Sequence, residues 1–297
     1  KPEKRQKIVD KHWPGVSKFG DGKFIFSQET SLISNSELQI AFGFLDAVSK
    51  VINLRDKLAK EDVEKPQPFL PDGAWGLDYK NSIEVDGSIR NIHTSYNLLA
   101  EKDPNIIKKL RFYTEAFTGY QLATLELAGS RPWISKRLPN NWDDVLGMLA
   151  GPPPPEVYQN ISIANQLPST LRLSPPKKFA EVGWLFSDQI INHDLLGYQQ
   201  IIALMYENGI IELLQERLSK SGVVKIIEIG GGYGALAYYL MKILNFEVSY
   251  SLVDIPESLA FSSIYCGCLD MGIPVKMVRE GSDFCINPDP SLTLIPN

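Results

Sequence analysis

The sequence has little cysteine: three residues, Cys266, Cys268 and Cys285, among 297. An odd number leaves one cysteine over, and no pair has the spacing of a secreted disulfide framework, so a reducing compartment is expected. Cys266 and Cys268 lie two positions apart on a predicted helix, where their side chains diverge by about 200°. They cannot share a metal ion without outside ligands, and the sequence predicts no metal site.

Long apolar runs are also missing. No run approaches the roughly 20 residues that a helix needs to cross a bilayer, and residues 1–5 are followed by no signal-like apolar core. We expect a soluble, cytoplasmic protein without a membrane partner. The sequence does not open with methionine, so we expect the translated product to begin before Lys1.

Neither sign of charge dominates the composition. Lys and Arg total 30 and Asp and Glu total 35, a formal net charge of -5. Such a balance gives no general attraction to the phosphates of nucleic acid or to anionic lipid. Nucleic-acid partners are therefore not expected.

What the sequence does contain is a pattern of strand, glycine turn, helix and strand at residues 223–254. A β-branched run ends near Glu228, glycines fill most of residues 230–234, and an apolar helical pattern follows to Leu244. A second strand-like run at 248–253 ends on Asp254, where a carboxylate can accept hydrogen bonds from ribose hydroxyls. The pattern predicts the first half of a nucleotide-binding α/β unit.

Two classes of ligand fit this turn. Gly230, Gly232 and Ala235 satisfy the relaxed dinucleotide fingerprint, whose helix N-terminus holds a pyrophosphate. Glu228 placed before Gly230, Gly232 and Gly234 instead resembles motif I of the class I S-adenosylmethionine-dependent methyltransferases. A carboxylate at Glu228 repels a pyrophosphate and attracts a cationic amino group, so charge favours the methyl donor.

The resemblance is narrower than the class. The glycine turn reads Gly-Gly-Gly-Tyr-Gly, Asp254 opens Asp-Ile-Pro-Glu, and residues 181–184 and 192–198 resemble the lead-in of the sugar O-methyltransferase family. The similarity covers about residues 180–297. It implies S-adenosylmethionine as cofactor and methyl transfer to a hydroxyl of a sugar or glycosylated natural product.

The resemblance also implies a set of donor-binding residues. Glu228 would bind the amino group of the donor, Asp254 its ribose, and Ile255 would lie against the adenine. Asp283 is a candidate acceptor for the adenine amino group, or a solvated loop acid. The remaining donor-site candidates are the other members of the turn and one residue of a covering helix: Gly230, Gly231, Gly232, Tyr233, Gly234 and Tyr198.

Methyl transfer to a hydroxyl is usually helped by a general base. Of the three histidines, His193 is the candidate, because it lies in the lead-in segment beside a predicted helix start; His12 and His93 have nothing to place them near the turn. In related enzymes the base commonly follows the fourth strand, which would put it beyond Asn297.

Three regions are predicted along the chain. Residues 1–150 are expected to form a mainly helical domain for acceptor recognition or oligomerisation. It includes a short apolar piece at 24–26 in an arm or hairpin, and a helix that begins at the capping box of Ser34 and Glu37 and runs to Lys60. Four prolines at 152–155 predict a proline-rich linker over 151–180. Residues 181–297 are the predicted donor-binding domain.

The predicted donor-binding domain is a Rossmann-like α/β fold. Asp194 is expected to cap a helix, and third and fourth strands are expected at 274–278 and 291–295. By resemblance to the methyltransferase sheet, the first and fourth strands would be neighbours and the ligand crevice would lie at their ends. Four strands of seven leave the fourth as a bare edge, so we expect the chain to continue past Asn297 or another chain to cover that edge.

Two further functions are compatible with these residues. One is a non-catalytic binding or scaffold module that keeps the donor fold, and the other is a nucleotide-dependent oxidoreductase, which Glu228 disfavours. A homo-oligomer is compatible with either.

Overall fold

A computed structural model of the chain describes residues 11, 22–26, 34–61, 153, 155–176, 182–186, 189–269, 271–278 and 289–296. Residues 62–150 of the predicted helical domain lie outside these residues, as do Asp283, His12 and His93. The mainly helical character of residues 1–150 therefore stays a prediction.

The described residues form seven strands and six α-helices. The strands are β1 (Lys23–Phe26), β2 (Val182–Phe186), β3 (Gln189–Ile191), β4 (Val224–Ile229), β5 (Val248–Asp254), β6 (Val275–Met277) and β7 (Ser291–Pro296). The helices are α1 (Asn35–Glu61), α2 (Pro155–Gln166), α3 (His193–Glu207), α4 (Ile210–Ser221), α5 (Ala235–Ile243) and α6 (Pro256–Cys268). The predicted elements at 223–254, 274–278 and 291–295 are confirmed.

Four of the strands form one fully parallel sheet in the order β4-β5-β7-β6. The protein is thus α/β, as expected. The predicted neighbourhood of first and fourth strands is wrong, because β5 separates β4 from β7. Leu252 of β5 is in register with Glu228 on one side and with Leu294 on the other.

The predicted bare edge at the fourth strand is also wrong. β7 is hydrogen-bonded to β5 on one side and to β6 on the other, and its first four residues are buried. Within the described residues, the edge strands of this sheet are β4 and β6. Successive side chains of β4 point to opposite faces of the sheet, and Ile227 and Ile229 are on the exposed face, at 59% and 82% exposure.

Helices α5 and α6 lie against the sheet, α5 on β5 and α6 on β6 and β7. They also contact each other, since Cys266 of α6 donates a hydrogen bond to the carbonyl oxygen of Gly234, just before α5. Successive crossovers in the same direction along a parallel sheet place their helices on one face, because the crossovers are right-handed. This shared face positions α6 beside the glycine turn.

α6 is buried along nearly its whole length because α1 packs on it. Gly267 leaves room for the ring of Phe44, and Arg55 forms a buried ion pair with Glu257 at 2.9 Å. The predicted capping box at the start of α1 is confirmed: Ser34 N–H donates to Glu37, and Glu37 N–H donates to the Ser34 hydroxyl. An N-terminal helix therefore packs on the helix layer that covers the parallel sheet.

The other strands form a small antiparallel sheet in the order β1-β2-β3. The apolar piece at 24–26 is in β1, where Phe24 is in register with Trp184 of β2. In the same part of the molecule the buried side chain of Gln199, on α3, donates to the carbonyl oxygen of Leu171 and accepts from Leu173 N–H.

Two local predictions are wrong in this part of the chain. A stiff proline-rich linker was expected from residue 151, but α2 begins at Pro155 and buries Val157 and Ile161. Proline is accepted at the first helical position, where its missing N–H has no intrahelical partner to lose. The cap of α3 is Asn192, whose side chain accepts from Leu195 N–H, and not Asp194.

The chain divides into two compact units that do not follow the predicted order of domains. One unit contains β1, α2, β2, β3 and α3. The other contains α1 together with β4, α5, β5, α6, β6 and β7, and the division falls within α4. α1, which lies within residues 1–150, therefore belongs to the same unit as the parallel sheet. Among the described residues, no helix is long and apolar enough to cross a membrane.

Candidate functional site

The glycine turn joins β4 to α5 through alternating backbone conformations. Gly230, Gly232 and Gly234 have φ values of 77°, 56° and 87°. Residues other than glycine adopt such backbone angles only with strain. Gly230 N–H donates to the carbonyl oxygen of Val253 at 2.8 Å, so the turn is tied to the end of β5. Gly234 N–H donates back to Gly231, and α5 follows at once.

The turn has a packed side and an open side. A Cβ built on Gly231 would lie 2.6 Å from Cγ of Leu252 and 3.1 Å from Cδ of Glu228, and one on Gly234 would lie 2.8 Å from Sγ of Cys266. A Cβ on Gly230 or Gly232 would meet nothing within 4 Å. The backbone of these two residues is therefore accessible to a ligand, while the other side of the turn is fixed by the core.

Asp254 lies at the tip of β5 and closes against the turn. Its Oδ2 accepts from Gly232 N–H at 2.8 Å and its Oδ1 accepts from Ile255 N–H at 2.7 Å. An ionised carboxylate has about four acceptor positions, so Asp254 keeps room for a further donor, such as a ribose hydroxyl.

Glu228 lies under the turn on the side that faces the helices. Its Oε2 accepts from the hydroxyl of Tyr250 at 3.0 Å, and no described residue donates to Oε1. The side chain is half-buried, between Tyr250 of β5 and Gly231 above it. Glu228 and Asp254 therefore bring two carboxylates to one short piece of backbone.

Burial raises the pKa of both carboxyl groups. For Glu228 the hydrogen bond from Tyr250 opposes this effect, while the negative charge of Asp254 adds to it. For Asp254 the hydrogen bonds from Gly232, Ile255 and Ser258 lower the pKa against the effect of burial, while the charge of Glu257 raises it. The site thus holds two acids that are less readily ionised than in water, with no cation among their described contacts.

The other predicted residues fall into three groups. Tyr233 lies in the turn and packs edge-on against Tyr265 at 5.1 Å, and Ile255 follows Asp254 directly. Tyr198 and His193 belong to the other compact unit, where His193 is the first residue of α3. Their roles, and that of Asp283 outside the described residues, stay predictions.

Sequence reasoning missed Tyr250 and Cys266 as neighbours of the site. Tyr250 interrupts a strand of small and aliphatic residues, and its burial at 1% exposure requires a partner for its hydroxyl. A tyrosine in a buried strand is visible in the sequence, but which residue its hydroxyl bonds to depends on the register between strands. Cys266 is fully buried against Gly234, and burial raises the pKa of its thiol, which keeps it uncharged.

Within the described ranges, no three His, Cys, Asp or Glu side chains form a group that could hold a metal ion. Comparisons of the chain with protein-family models, curated proteins and solved structures find no match. The chemistry of the turn therefore rests on its own residues. It offers two carboxylates and exposed glycine backbone, a combination suited to a ligand that carries a cation and hydroxyl groups.

Proposed function

We propose that the protein is an S-adenosylmethionine-dependent O-methyltransferase, with the donor bound at the glycine turn and a hydroxyl of a sugar or glycosylated natural product as acceptor. One observation carries the proposal: the carboxylates of Glu228 and Asp254 both lie against the turn, whose open side is glycine backbone. The Rossmann-like interpretation of the parallel sheet is part of the same proposal.

The charges at the turn argue against a dinucleotide. A pyrophosphate binds to free backbone N–H groups and is repelled by a carboxylate placed directly against them. Here Gly232 N–H already donates to Asp254, and Glu228 adds a second carboxylate. The same two acids are complementary to an α-ammonium group and to a ribose hydroxyl. A nucleotide-dependent oxidoreductase is therefore disfavoured.

Each residue has a defined task in this proposal. Glu228 holds the donor's ammonium group, Asp254 accepts from a ribose hydroxyl, and Gly230 and Gly232 allow close approach of the ligand to the backbone. The donor supplies a methyl group on a positively charged sulfur, and the protein mainly has to orient the acceptor and exclude water. His193 stays the candidate general base.

A non-catalytic binding module is the second candidate function, and the strand order is the observation that favours it. The ligand crevice was expected at the ends of the first and fourth strands as neighbours, and β5 lies between them. The glycine turn lies at the ends of β4 and β5, but methyl transfer also needs an acceptor site beside the donor. Binding and transfer are therefore tested separately.

Titration calorimetry with S-adenosylhomocysteine and with NAD tests donor binding. We expect the wild-type protein to bind S-adenosylhomocysteine and not NAD. Asp254→Ala removes a charged acceptor and is expected to weaken binding by about tenfold or more. Glu212→Ala, on the exposed surface of α4, is the control and should bind as wild type.

Two results would contradict the proposal: binding of neither ligand, or tighter binding of NAD. Circular dichroism of Asp254→Ala shows whether lost binding reflects lost structure, and Glu228→Gln supplies a second variant. Transfer of a labelled methyl group from S-adenosylmethionine to a panel of sugars and glycosides separates the enzyme from the binding module.

A further inference from the structure

Tyr250 is the described side chain that fixes the carboxylate of Glu228. Its ring is in the interior at 1% exposure, and its hydroxyl donates to Oε2 of Glu228 at 3.0 Å. A buried tyrosine hydroxyl needs a hydrogen-bond partner, and one that is charged makes a stronger bond than a neutral one. The pair therefore holds together two neighbouring strands below the turn.

Strand register explains why this tyrosine reaches this acid. Tyr250 is in register with Ile226, two residues before Glu228, and parallel partners in register lie on the same face of the sheet. The tyrosine thus lies diagonally behind the acid and approaches it from the core. Gly231 lies on the other side, where a Cβ would come within 3.1 Å of Cδ of Glu228.

These contacts leave one carboxylate oxygen of Glu228 without a donor. Oε2 is engaged by Tyr250, whereas no described residue donates to Oε1. A half-buried carboxylate with one fixed and one open oxygen has a defined orientation. A fixed orientation strengthens a hydrogen bond from an ammonium group to the open oxygen. It has little effect on contacts with the other parts of a ligand.

We propose that Tyr250 is a positioning residue, which holds the Glu228 carboxylate so that its open oxygen receives the ammonium group of the donor's amino-acid tail. This inference rests on the proposed function. It assigns to Tyr250 no contact with the ligand itself. It also predicts that loss of the hydroxyl affects only ligands that carry the tail.

Two ligands that differ by the tail test this role. S-adenosylhomocysteine carries the amino-acid tail and 5′-methylthioadenosine lacks it. Tyr250→Phe is expected to weaken binding of the first by about tenfold and of the second by less than about twofold. Tyr238→Phe, which removes a hydroxyl from α5, is the matched control and should leave both affinities unchanged.

A double-mutant cycle links the effect to the acid. Glu228→Gln should also weaken the binding of S-adenosylhomocysteine and not that of 5′-methylthioadenosine. Adding Tyr250→Phe to this variant should reduce the affinity for S-adenosylhomocysteine by no more than about a further twofold. If Tyr250→Phe does not fold by circular dichroism, Tyr250→Met, which is smaller and flexible and also lacks a hydroxyl, is compared in the same titrations.

The pH dependence gives an independent readout. The hydrogen bond from Tyr250 lowers the pKa of Glu228, so its loss in Tyr250→Phe raises that pKa. As the pH falls, the variant should therefore stop binding S-adenosylhomocysteine at a higher pH than the wild-type protein does. Asp254 also titrates but is common to both proteins. Burial raises the pKa of Cys266 and of Tyr238, so both stay neutral in this range.

The outcomes separate the two proposals. A wild-type protein that binds neither ligand refutes the proposed function, and the role of Tyr250 with it. A wild-type protein that binds S-adenosylhomocysteine, with a Tyr250→Phe variant that loses both ligands equally or neither, refutes only the positioning role. An unchanged pH profile in the variant also counts against it.

Discussion

Glycine has different tasks at different positions of the turn. Gly232 needs only its φ of 56°, because a Cβ there would meet nothing, whereas Gly234 needs both its φ of 87° and the space next to Cys266. A left-handed backbone costs a side-chain residue about 1–2 kcal/mol, and overpacking a core adds about 1–3 kcal/mol. The two positions should therefore differ in their tolerance of alanine.

We predict that Gly232→Ala lowers the free energy of unfolding by about 1–2 kcal/mol and Gly234→Ala by a further 1–3 kcal/mol. Gly209→Ala is the control for backbone strain alone, since Gly209 has a φ of 69° and no neighbour within 4 Å of a Cβ. Urea unfolding measures all three. Equal losses at Gly232 and Gly234 would mean that Cys266 does not restrict the turn.

Glu228 is expected to reduce stability near neutral pH. Its pKa is raised in the folded protein, so between its ordinary value and the raised value the folded state binds a proton that the unfolded chain has lost. Stability from this group is therefore greatest at acid pH and falls as pH rises through that window.

We predict that Glu228→Gln raises the melting temperature at pH 7, while the gain shrinks towards pH 4. Tyr250 can still donate to the amide oxygen of glutamine. Glu212→Gln, on the exposed surface of α4, should give no such pH-dependent gain. Melting curves of both variants from pH 4 to 8 check the prediction, and a gain independent of pH would contradict it.

Residue-scale features of the turn could be predicted from sequence because they are local. Glycines at alternate positions and an acid at a strand tip show directly in the order of residues. The bond from Tyr250 to Glu228 could not be predicted in this way, since it depends on the register between two strands. Neither could the bond from Gly232 N–H to Asp254, because it depends on how far the turn folds back over β5.

At the scale of elements, α1 and α6 are joined by a buried ion pair. The two terminal nitrogens of the Arg55 guanidinium contact the Glu257 carboxylate, at 2.9 and 3.0 Å, and the two side chains are 8% and 10% exposed. Removal of Arg55 leaves the buried Glu257 carboxylate without this cation, which costs about 3–5 kcal/mol, whereas replacement of both residues by apolar ones is often nearly neutral.

We predict that Arg55→Met lowers the free energy of unfolding by about 3–5 kcal/mol, and that Arg55→Met with Glu257→Met recovers most of the loss. Lys57→Met is the control, because its pair with Glu61 is exposed and should contribute less than about 1 kcal/mol. Denaturant unfolding of the single and double variants measures the coupling. If the double variant is as unstable as the single one, the pair acts through packing and not through charge.

Elements themselves were predicted well where their signals were strong. The capping box fixed the start of α1, and glycine and proline marked the ends of α4 and the start of α6. The helix after the proline run was missed, because a run of prolines indicates a spacer, whereas Pro155 occupies the first position of α2. The partner of α1 was missed as well: its apolar face is visible in the sequence, but the helix it covers lies about 200 residues away.

At the scale of the whole molecule, the order of strands decides what can lie beside the turn. Parallel strands are joined by crossovers, and local sequence does not say how many positions a crossover spans. The connection from β5 to β6 passes over one position, which β7 later fills. The resemblance to methyltransferases implied β7 beside β4, and the structure has it beside β5.

A pair of introduced cysteines distinguishes these two arrangements. Ser251 of β5 and Thr293 of β7 are in register and buried, and neighbouring strands bring Cα atoms to within the roughly 4.4–6.8 Å that a disulfide requires. We predict that Ser251→Cys with Thr293→Cys forms a disulfide on mild oxidation, identified by mass spectrometry of the linked peptides. Ile227→Cys with Thr293→Cys, which joins β4 to β7, should not form one, because β5 lies between them. A linked Ile227–Thr293 pair with an unlinked Ser251–Thr293 pair would instead place β7 beside β4 and restore a crevice at the end of the glycine-turn strand.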